Sequence, residues 1–165
     1  MNYDFYNILI TPSDSYFNKT LVVILSVILN CKKPSHFYIM QSDWTEEHKR
    51  VCTDFVAEHQ GNTAEYIDTD DKDFLDLGFP AYKDHYEPYY KLLAHRLPDS
   101  VERVLYFDVD MLIRKDLEKF YSMNLGDNYF CSSVPPMFTQ RKYSDYENIE
   151  QKGGIWPNYF LVAVC

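Results

Sequence analysis

The chain has 165 residues, of which 46% are hydrophobic, and this is enough for one domain with a buried core. Its formal net charge is −9 and its sequence pI is near 4.9, so its surface would repel nucleic-acid phosphates. The most apolar run, residues 21–29, is far shorter than the roughly 18 residues of a membrane span. These features argue against nucleic-acid binding and against a transmembrane segment.

The four cysteines, Cys31, Cys52, Cys131 and Cys165, include no C-x-x-C pair, and no histidine stands at zinc-finger spacing. Scattered cysteines in a chain of this size are typical of buried thiols in a reduced compartment, with a disulfide framework as the lesser alternative. The apolar run also lacks the position and cleavage site of a signal peptide. We therefore expect a soluble, cytoplasmic protein.

Hydrophobic periodicity and turn residues divide the chain into alternating strands and helices. The predicted elements, in chain order, are a strand at 6–10, a turn-rich loop at 11–15, a helix at 16–30, a strand at 36–40, a helix that opens with a capping box at Asp43 and stops at Gly61, a strand at 64–68, a helix at 84–97 and a strand at 101–107. This alternation predicts an α/β fold with a mainly parallel sheet flanked by helices. A polar loop over residues 135–154 is long enough to be functional or disordered.

Two aspartates, Asp108 and Asp110, directly follow the last of these strands. Side chains two positions apart in a strand project to the same side, so both carboxylates lie at the carboxyl end of the strand, where open α/β sheets bind ligands. Neighbouring carboxylates repel each other unless a cation lies between them, and oxygen ligands suit Mg²⁺ or Mn²⁺, which often bridge to substrate phosphates. The pattern therefore predicts a metal site for a phosphate-bearing substrate.

The D-x-D spacing alone is weak evidence, because it recurs at residues 68–70 and 71–73. Those two copies lie in a polar stretch, and we interpret them as solvated loop charges. Only Asp108 and Asp110 follow a strongly apolar strand. A structural interpretation stays open for them as well, in which strand-end carboxylates cap a helix that starts near Asp116.

Three segments occur in an order and at spacings that resemble glycosyltransferase family 8, which includes bacterial lipopolysaccharide galactosyl- and glucosyltransferases and glycogenin. They read ITPSDSYFNKTLVVILSV, YYKLLAHRLPDSVERV and LYFDVDMLIRKDLEKFY, and the resemblance spans residues 6 to about 134. It implies a GT-A fold, the nucleotide-diphospho-sugar transferase fold, with residues 1–165 as a single N-terminal, donor-nucleotide-binding part of a glycosyltransferase domain. It also implies transfer of a hexose from a UDP-sugar with retention of anomeric configuration, using Mn²⁺ or Mg²⁺.

The resemblance assigns the phosphate side of the donor site to four residues. Asp108 and Asp110 match the metal-binding pair, and Val109 between them would offer its backbone to the nucleotide. Lys91 matches a basic position near the donor phosphates, and it would act in catalysis by stabilising the charge on the leaving UDP. Lysine is a point charge rather than a bidentate fork, so a looser contact than that of arginine is expected. An ordinary solvated lysine is the open alternative.

The resemblance assigns the base side of the donor site to the loop after the first strand. Thr11, Ser13 and Tyr16 match residues that hold the uracil, with Tyr16 stacking on the base. Purely structural roles stay open here too: Tyr16 as a core aromatic at a helix start, and the other two as turn or N-cap residues.

The chain departs from the family pattern near residue 160. The family expects a strand that reads roughly Tyr-Phe-Asn-(Ala/Ser)-Gly-Val, whereas this chain has NYFLVAVC over residues 158–165. The later acceptor-side carboxylates and the histidine that completes the metal shell are not in the sequence, and we hypothesise a truncation or frame shift. The five histidines, His36, His48, His59, His85 and His95, match no such ligand and are expected at the surface or in the core.

The sequence thus predicts a metal-dependent retaining hexosyltransferase that uses UDP-glucose or UDP-galactose and a saccharide or glycolipid acceptor, such as surface polysaccharide or lipopolysaccharide. Peripheral membrane contact through the missing C-terminal region stays open. One alternative is a UDP-sugar-binding remnant without turnover. Another is a phosphatase of the haloacid dehalogenase type, in which the first aspartate attacks phosphate; there, however, Gly-Thr normally follows the aspartates and the motif lies near the chain start.

Overall fold

The structure is a computed structural model, and it describes residues 4–59, 61–82, 85–126, 131–133 and 160–164. The strands are β1 (Tyr6–Ile10), β2 (Ser35–Gln41), β3 (Thr63–Asp68), β4 (Val104–Phe107), β5 (Cys131–Ser133) and β6 (Phe160–Val164). The α-helices are α1 (Phe17–Asn30), α2 (Glu46–Ala57), α3 (Lys72–Leu75), α4 (Glu87–Tyr90) and α5 (Glu118–Tyr121), with 3₁₀ helices at Asp14–Tyr16 and Lys91–Arg96. No described helix is long and apolar enough to cross a membrane.

The strands form one six-stranded sheet in the order β3-β2-β1-β4-β6-β5. The first four are mutually parallel, and β6 runs antiparallel to both of its neighbours. All five residues of β1 are buried because helices cover both faces of the sheet, and this is why the strand is a continuous apolar run. The α/β architecture with a mainly parallel sheet is confirmed.

Two apolar layers lie on opposite faces of the sheet. On one face, Ile8 and Leu105 pack with Val23 and Ile24 of α1, and α2 and α5 extend the same cluster. On the other face, Leu9 packs against residues of α3, α4 and the second 3₁₀ helix. This alternation follows from the period of two in a strand, and it fixes which side chains of β1 and β4 can reach each layer.

Strands β1 and β4 are neighbours, and they end together, since Ile10 pairs with Phe107. The residues that follow them, Thr11 and Asp108, therefore leave the sheet side by side at its carboxyl edge. The topology also changes direction at this point, because the chain crosses from β1 to β2 on one side and reaches β4 on the other. Such a crevice is where open α/β sheets bind ligands.

Several predicted boundaries were wrong. Helix α2 is capped by Thr45, whose side-chain oxygen accepts from the backbone N–H of His48 at 3.1 Å. Asp43, the predicted cap, instead accepts from the backbone N–H of Asp14 at 2.9 and 3.0 Å. The helix predicted over residues 84–97 is split into α4 and the 3₁₀ helix that follows it, and Leu93 lies in a kink within the latter.

The sequence had suggested that the acidic residues at 71–73 are solvated loop charges, and this interpretation was wrong. Asp71 accepts a hydrogen bond from the Tyr90 hydroxyl, and Asp73 forms a paired contact with Arg96, with both N–O distances at 2.8 Å. These contacts tie α3 to the segment that carries Lys91. The loop predicted at 135–154 lies outside the described residues, as does Cys165, while Cys31, Cys52 and Cys131 are free thiols.

Candidate functional site

A cleft of about 390 Å³ opens at the carboxyl edge of β1 and β4. It is lined by all seven residues that the sequence singled out, namely Thr11, Ser13, Tyr16, Lys91, Asp108, Val109 and Asp110. Five further residues complete the lining: Tyr82, His85, Glu87, Pro88 and Tyr106. Residues that are up to 99 positions apart in the chain thus meet in one place, and the roles assigned to them stay predictions.

The acidic wall of the cleft is set by the end of β4. Asp108 is half-buried and Asp110 is exposed, and both line the cleft. The Tyr106 hydroxyl donates a hydrogen bond of 2.6 Å to Oδ1 of Asp108. Tyr106 stands two positions before Asp108, on the same side of the chain, so the period of the strand brings the two groups together.

Tyr106 is buried, with 3% of its surface exposed. Burial raises its pKa well above the usual value, and the carboxylates of Asp108 and Asp110 raise it further. The phenol therefore stays protonated across the physiological range and remains a donor to Asp108. Its oxygen also lies 3.3 Å from Oγ1 of Thr11, which links the ends of β1 and β4 through side chains as well as backbone.

Lys91 places a positive charge in the same cleft as the acids. It begins the second 3₁₀ helix, and its ammonium lies 4.9 Å from the centre of the Tyr106 ring, within range of a cation–π contact. The helix is held against α3 by the contacts of Tyr90 and Arg96 described above. Lys91 thus lies on a segment that is fixed to α3 by side-chain contacts.

The loop after β1 forms a second wall, and residues of the β2–α2 connection fix its shape. The indole Nε1 of Trp44 donates to the carbonyl oxygen of Ser13 at 3.3 Å, and the carboxylate of Asp43 accepts from the N–H of Asp14. His48 Nδ1 lies 2.5 Å from Asp14 Oδ1. These contacts present the Ser13 and Tyr16 side chains toward the cleft.

Tyr16 is partly buried at the end of the first 3₁₀ helix, and the ammonium of Lys19 lies 4.0 Å from its ring centre. An aromatic side chain held at a cleft wall offers a face on which a planar base can stack. Val109 is partly buried and packs on the α1 face of the core, which fixes the backbone between the two aspartates. Neither position resembles a free surface residue.

Sequence reasoning missed the third wall of the cleft. His85 and Glu87 were assigned to the start of the helix predicted over residues 84–97 and Tyr82 to no element, whereas Tyr82 and His85 form an isolated antiparallel bridge ahead of α4. His85 Nδ1 lies 3.5 Å from a carboxylate oxygen of Glu87, whose side chain is largely buried. His85 is exposed, in agreement with the expectation, and it also lines the cleft. Tyr106 could have been found from its spacing to Asp108.

The donor set at the acidic wall fits a hard divalent cation with few protein ligands. Two carboxylates offer only oxygen atoms, which Mg²⁺ and Mn²⁺ prefer, and Mg²⁺ typically completes its shell with water and substrate phosphates. Within the described ranges, no group of three or more His, Cys, Asp or Glu side chains is placed to hold a metal. A cation bound here by this part of the chain would therefore depend on Asp108 and Asp110 and on its substrate.

Comparisons with known proteins point to one family. The family model described as glycosyl transferase family 8 matches residues 7–164. A curated protein of Haemophilus influenzae (strain ATCC 51907 / DSM 11121 / KW20 / Rd), named "Putative glycosyltransferase", is 25% identical over 142 residues, which are 84% of this chain and 42% of that protein. The chain therefore spans less than half the length of this relative.

Solved structures share the fold. The galactosyltransferase LgtC, crystallised with donor and acceptor sugar analogs, superposes with a TM-score of 0.75 at 23% identity, over 96% of this chain and 57% of LgtC. The apo form of the glycosyltransferase GlyE of Streptococcus pneumoniae TIGR4 superposes with a TM-score of 0.67 at 13% identity, over 96% of this chain and 33% of GlyE. The expected GT-A fold is confirmed by these likenesses.

Proposed function

Because this chain belongs to glycosyltransferase family 8, we propose that it forms the donor-nucleotide part of a metal-dependent retaining hexosyltransferase that takes UDP-glucose or UDP-galactose. The observation that carries the proposal is the acid pair of Asp108 and Asp110 in one cleft with Lys91 and Tyr16. The family match supports a glycosyltransferase, and the residues of the cleft support the nature of its donor.

The charges of the cleft fit a diphosphate only through a cation. A pyrophosphate placed against two carboxylates would be repelled, whereas a divalent ion between them attracts both. Of the described residues, Lys91 is the only cationic side chain in the cleft lining other than the titratable His85. One lysine cannot offset a diphosphate together with the carboxylates of Glu87, Asp108 and Asp110, so the acid pair favours Mn²⁺ or Mg²⁺ binding.

The cleft also suits the size and polarity of a nucleotide-sugar. Its volume falls within the ~300–1,000 Å³ of small-molecule sites. Tyr16 and the acid pair both line it, so a base could stack on Tyr16 while the diphosphate lies at the acids. Thr11 and Ser13 add hydroxyl groups to the same lining, and these can donate to or accept from a uracil or ribose.

The proposed chemistry is departure of UDP from the anomeric carbon as an acceptor hydroxyl attacks from the same face, with the departing UDP taking the proton of that hydroxyl. A bound divalent cation would supply Lewis-acid stabilisation of the charge that develops on the leaving diphosphate. Lys91 adds a positive charge on the same side, Asp108 and Asp110 hold the phosphate end in place, and Tyr16 anchors the base. The acceptor is proposed to be a saccharide or glycolipid, such as surface polysaccharide or lipopolysaccharide, and the location to be the cytoplasm.

Calorimetry tests the donor assignment directly. The purified protein is titrated with UDP, UDP-glucose and UDP-galactose, each in the presence of Mn²⁺ and after chelation with EDTA. We expect saturable binding that requires Mn²⁺, and tighter binding of one of the two sugar nucleotides than of the other. Equal heats with and without Mn²⁺, or no binding of any of the three, would contradict the proposal.

A second candidate function is UDP-sugar binding without turnover. The observation that favours it is that, among the described residues, no third His, Cys, Asp or Glu side chain joins Asp108 and Asp110 to hold a metal. Slow Mn²⁺-dependent hydrolysis of the UDP-hexose, followed by release of UDP, separates the two. Binding with no hydrolysis favours the non-catalytic function. The family match leaves the phosphatase alternative without support.

A further inference from the structure

The acidic wall of the cleft contains a buried polar side chain to which the resemblance assigns no role. Tyr106 is 3% exposed, its hydroxyl is 2.6 Å from Oδ1 of Asp108, and it is 3.3 Å from Oγ1 of Thr11. A buried hydroxyl that donates to a carboxylate at the edge of a cleft affects how that carboxylate binds a ligand. The neighbours of metal ligands fix their orientation and tune their affinity in this way.

The direction of the two hydrogen bonds follows from the number of protons. An ionised carboxylate can only accept, so the single phenolic proton of Tyr106 is donated to Asp108. The phenolic oxygen then accepts from the hydroxyl of Thr11. The result is a directed chain of donors from Thr11 through Tyr106 to Asp108, which starts at the end of β1 and ends at the end of β4.

This chain restricts the Asp108 carboxylate. Oδ1 accepts the Tyr106 proton, which limits the rotation of the carboxylate, and Oδ2 is the oxygen that carries no bond from the phenol. The same ring carries the ammonium of Lys91 at 4.9 Å. The side chain of Tyr106 thus contacts Asp108, the ammonium of Lys91 and, through Thr11, the loop after β1.

We propose that Tyr106 is a positioning residue for divalent-cation binding, which presents Oδ2 of Asp108 to the cation and draws on Thr11 to hold its own hydroxyl in place. The proposal rests on the donor site described above and adds a residue to it. Tyr106 acts through Asp108 and not by contact with the sugar. Its loss should therefore change the cation requirement of nucleotide binding rather than the nucleotide affinity at saturating cation.

The test measures UDP binding over a series of Mn²⁺ concentrations in the wild-type protein and in Tyr106→Phe. Phenylalanine keeps the ring, and with it the packing and the contact to Lys91, and removes only the hydroxyl. We expect the Mn²⁺ concentration at half-maximal UDP binding to rise about 10- to 100-fold, the usual effect of removing a neighbour of a metal ligand. UDP affinity at saturating Mn²⁺ should stay unchanged.

Two further variants keep the test decisive. Tyr38→Phe removes the hydroxyl of another tyrosine in the apolar cluster on the same face of the sheet but outside the cleft lining, and it should leave the Mn²⁺ midpoint unchanged. Thr11→Val removes the donor to Tyr106 with little change of shape and should raise the midpoint by less than Tyr106→Phe does. If Tyr106→Phe does not fold, an unchanged midpoint in Thr11→Val overturns the proposal.

The outcomes separate this inference from the proposed function. A wild-type protein that binds UDP without any dependence on Mn²⁺ contradicts the donor-site proposal itself. If UDP binding by the wild type depends on Mn²⁺ and Tyr106→Phe has the same Mn²⁺ midpoint, only the role of Tyr106 is overturned. A loss of UDP affinity at saturating Mn²⁺ that Tyr38→Phe reproduces would show general damage to the sheet and would also overturn it.

Discussion

Both ends of the parallel sheet place a tyrosine hydroxyl against carboxylates, but the charges around them differ. At the amino end, the Tyr6 hydroxyl lies 2.8 Å from a carboxylate oxygen of Asp116 and 3.1 Å from one of Glu118, so its single proton is shared between the two acids. Lys33 lies 2.5 Å from the Glu118 carboxylate, and Lys32 lies 3.9 Å from that of Asp116. Each acid at this end therefore has its own lysine.

At the carboxyl end, Tyr106 holds Asp108 in a similar way, yet in the described part of the chain no lysine or arginine lies within 4 Å of Asp108 or Asp110. Lys91 contacts the Tyr106 ring instead. Acids that are paired with lysines stabilise the fold, whereas acids without such partners are available to bind a cation. The comparison indicates that the same residue types build structure at one edge and a binding site at the other.

The largest effect is expected from neutralising the acids at the carboxyl end. Asp108→Asn together with Asp110→Asn should abolish Mn²⁺-dependent UDP binding in calorimetry, a loss of about 100-fold or more, because these are the proposed ligands themselves and not their neighbours. The free energy of unfolding should change little, since the substitution also removes the repulsion between two like charges. UDP affinity that is untouched in this variant would contradict the donor site.

A matched control exists in the chain. Asp68 and Asp70 have the same D-x-D spacing but lie outside the cleft lining, and Asp68 is engaged by Gln41 and Lys49. Asp68→Asn with Asp70→Asn should keep Mn²⁺-dependent UDP binding. Its loss in the control would show that the effect reflects net charge rather than position.

The next effect concerns the single lysine of the cleft. Lys91→Ala should slow Mn²⁺-dependent hydrolysis of the UDP-hexose by about 100-fold, the usual cost of removing one group that stabilises developing charge. Lys91→Arg should restore most of the rate, because it keeps the charge. Lys72→Ala, an exposed lysine on α3, serves as the control. Equal rates in the wild type and in Lys91→Ala would remove Lys91 from the catalytic assignment.

A smaller effect is expected at the amino end, and on stability rather than on binding. Tyr6→Phe removes a buried hydroxyl that donates to two carboxylates, so the free energy of unfolding should fall by about 1.5 kcal/mol. The measurement is chemical denaturation with urea. UDP binding should stay as in the wild type, because this end of the sheet is remote from the cleft. A variant that loses UDP affinity without losing stability would break the comparison between the two ends.

The position of the acid pair could be predicted from sequence because it depends on local features. An apolar strand that ends in Asp108 and Asp110 fixes their place at the sheet edge. The resemblance to the family supplied Lys91, Thr11, Ser13 and Tyr16. The fold class followed from the alternation of strands and helices in the same local way.

What could not be predicted depends on contacts between distant segments. Asp43 looked like a helix cap, but its partner is the N–H of Asp14, 29 positions away. Asp73 looked solvated, but its partner is Arg96, 23 positions away. His85 was wrongly assigned to a helix because its bridge to Tyr82 precedes the helix that the periodicity extended too far. A window of sequence holds no information on such partners.

The smallest effect is the dependence of stability on pH at the amino end. The hydrogen bond from Lys33 holds the pKa of Glu118 below its usual value. Burial alone would raise the pKa of Asp116, but the bond from Tyr6 and the charge of Lys32 outweigh it, and its pKa is also lowered. A carboxyl with a lowered folded pKa contributes stability above its unfolded pKa, about 4, and loses it as the pH falls through the folded value. The free energy of unfolding should therefore fall between about pH 5 and pH 2, and less steeply in Glu118→Gln.

The control is Asp54→Asn, which replaces an exposed carboxylate on α2 that lies 3.6 Å from Arg50. This variant should keep the wild-type slope. A Glu118→Gln slope that equals that of the wild type would mean that the acids at this end are not held by their lysines, and the contrast with Asp108 and Asp110 would then lose its physical basis.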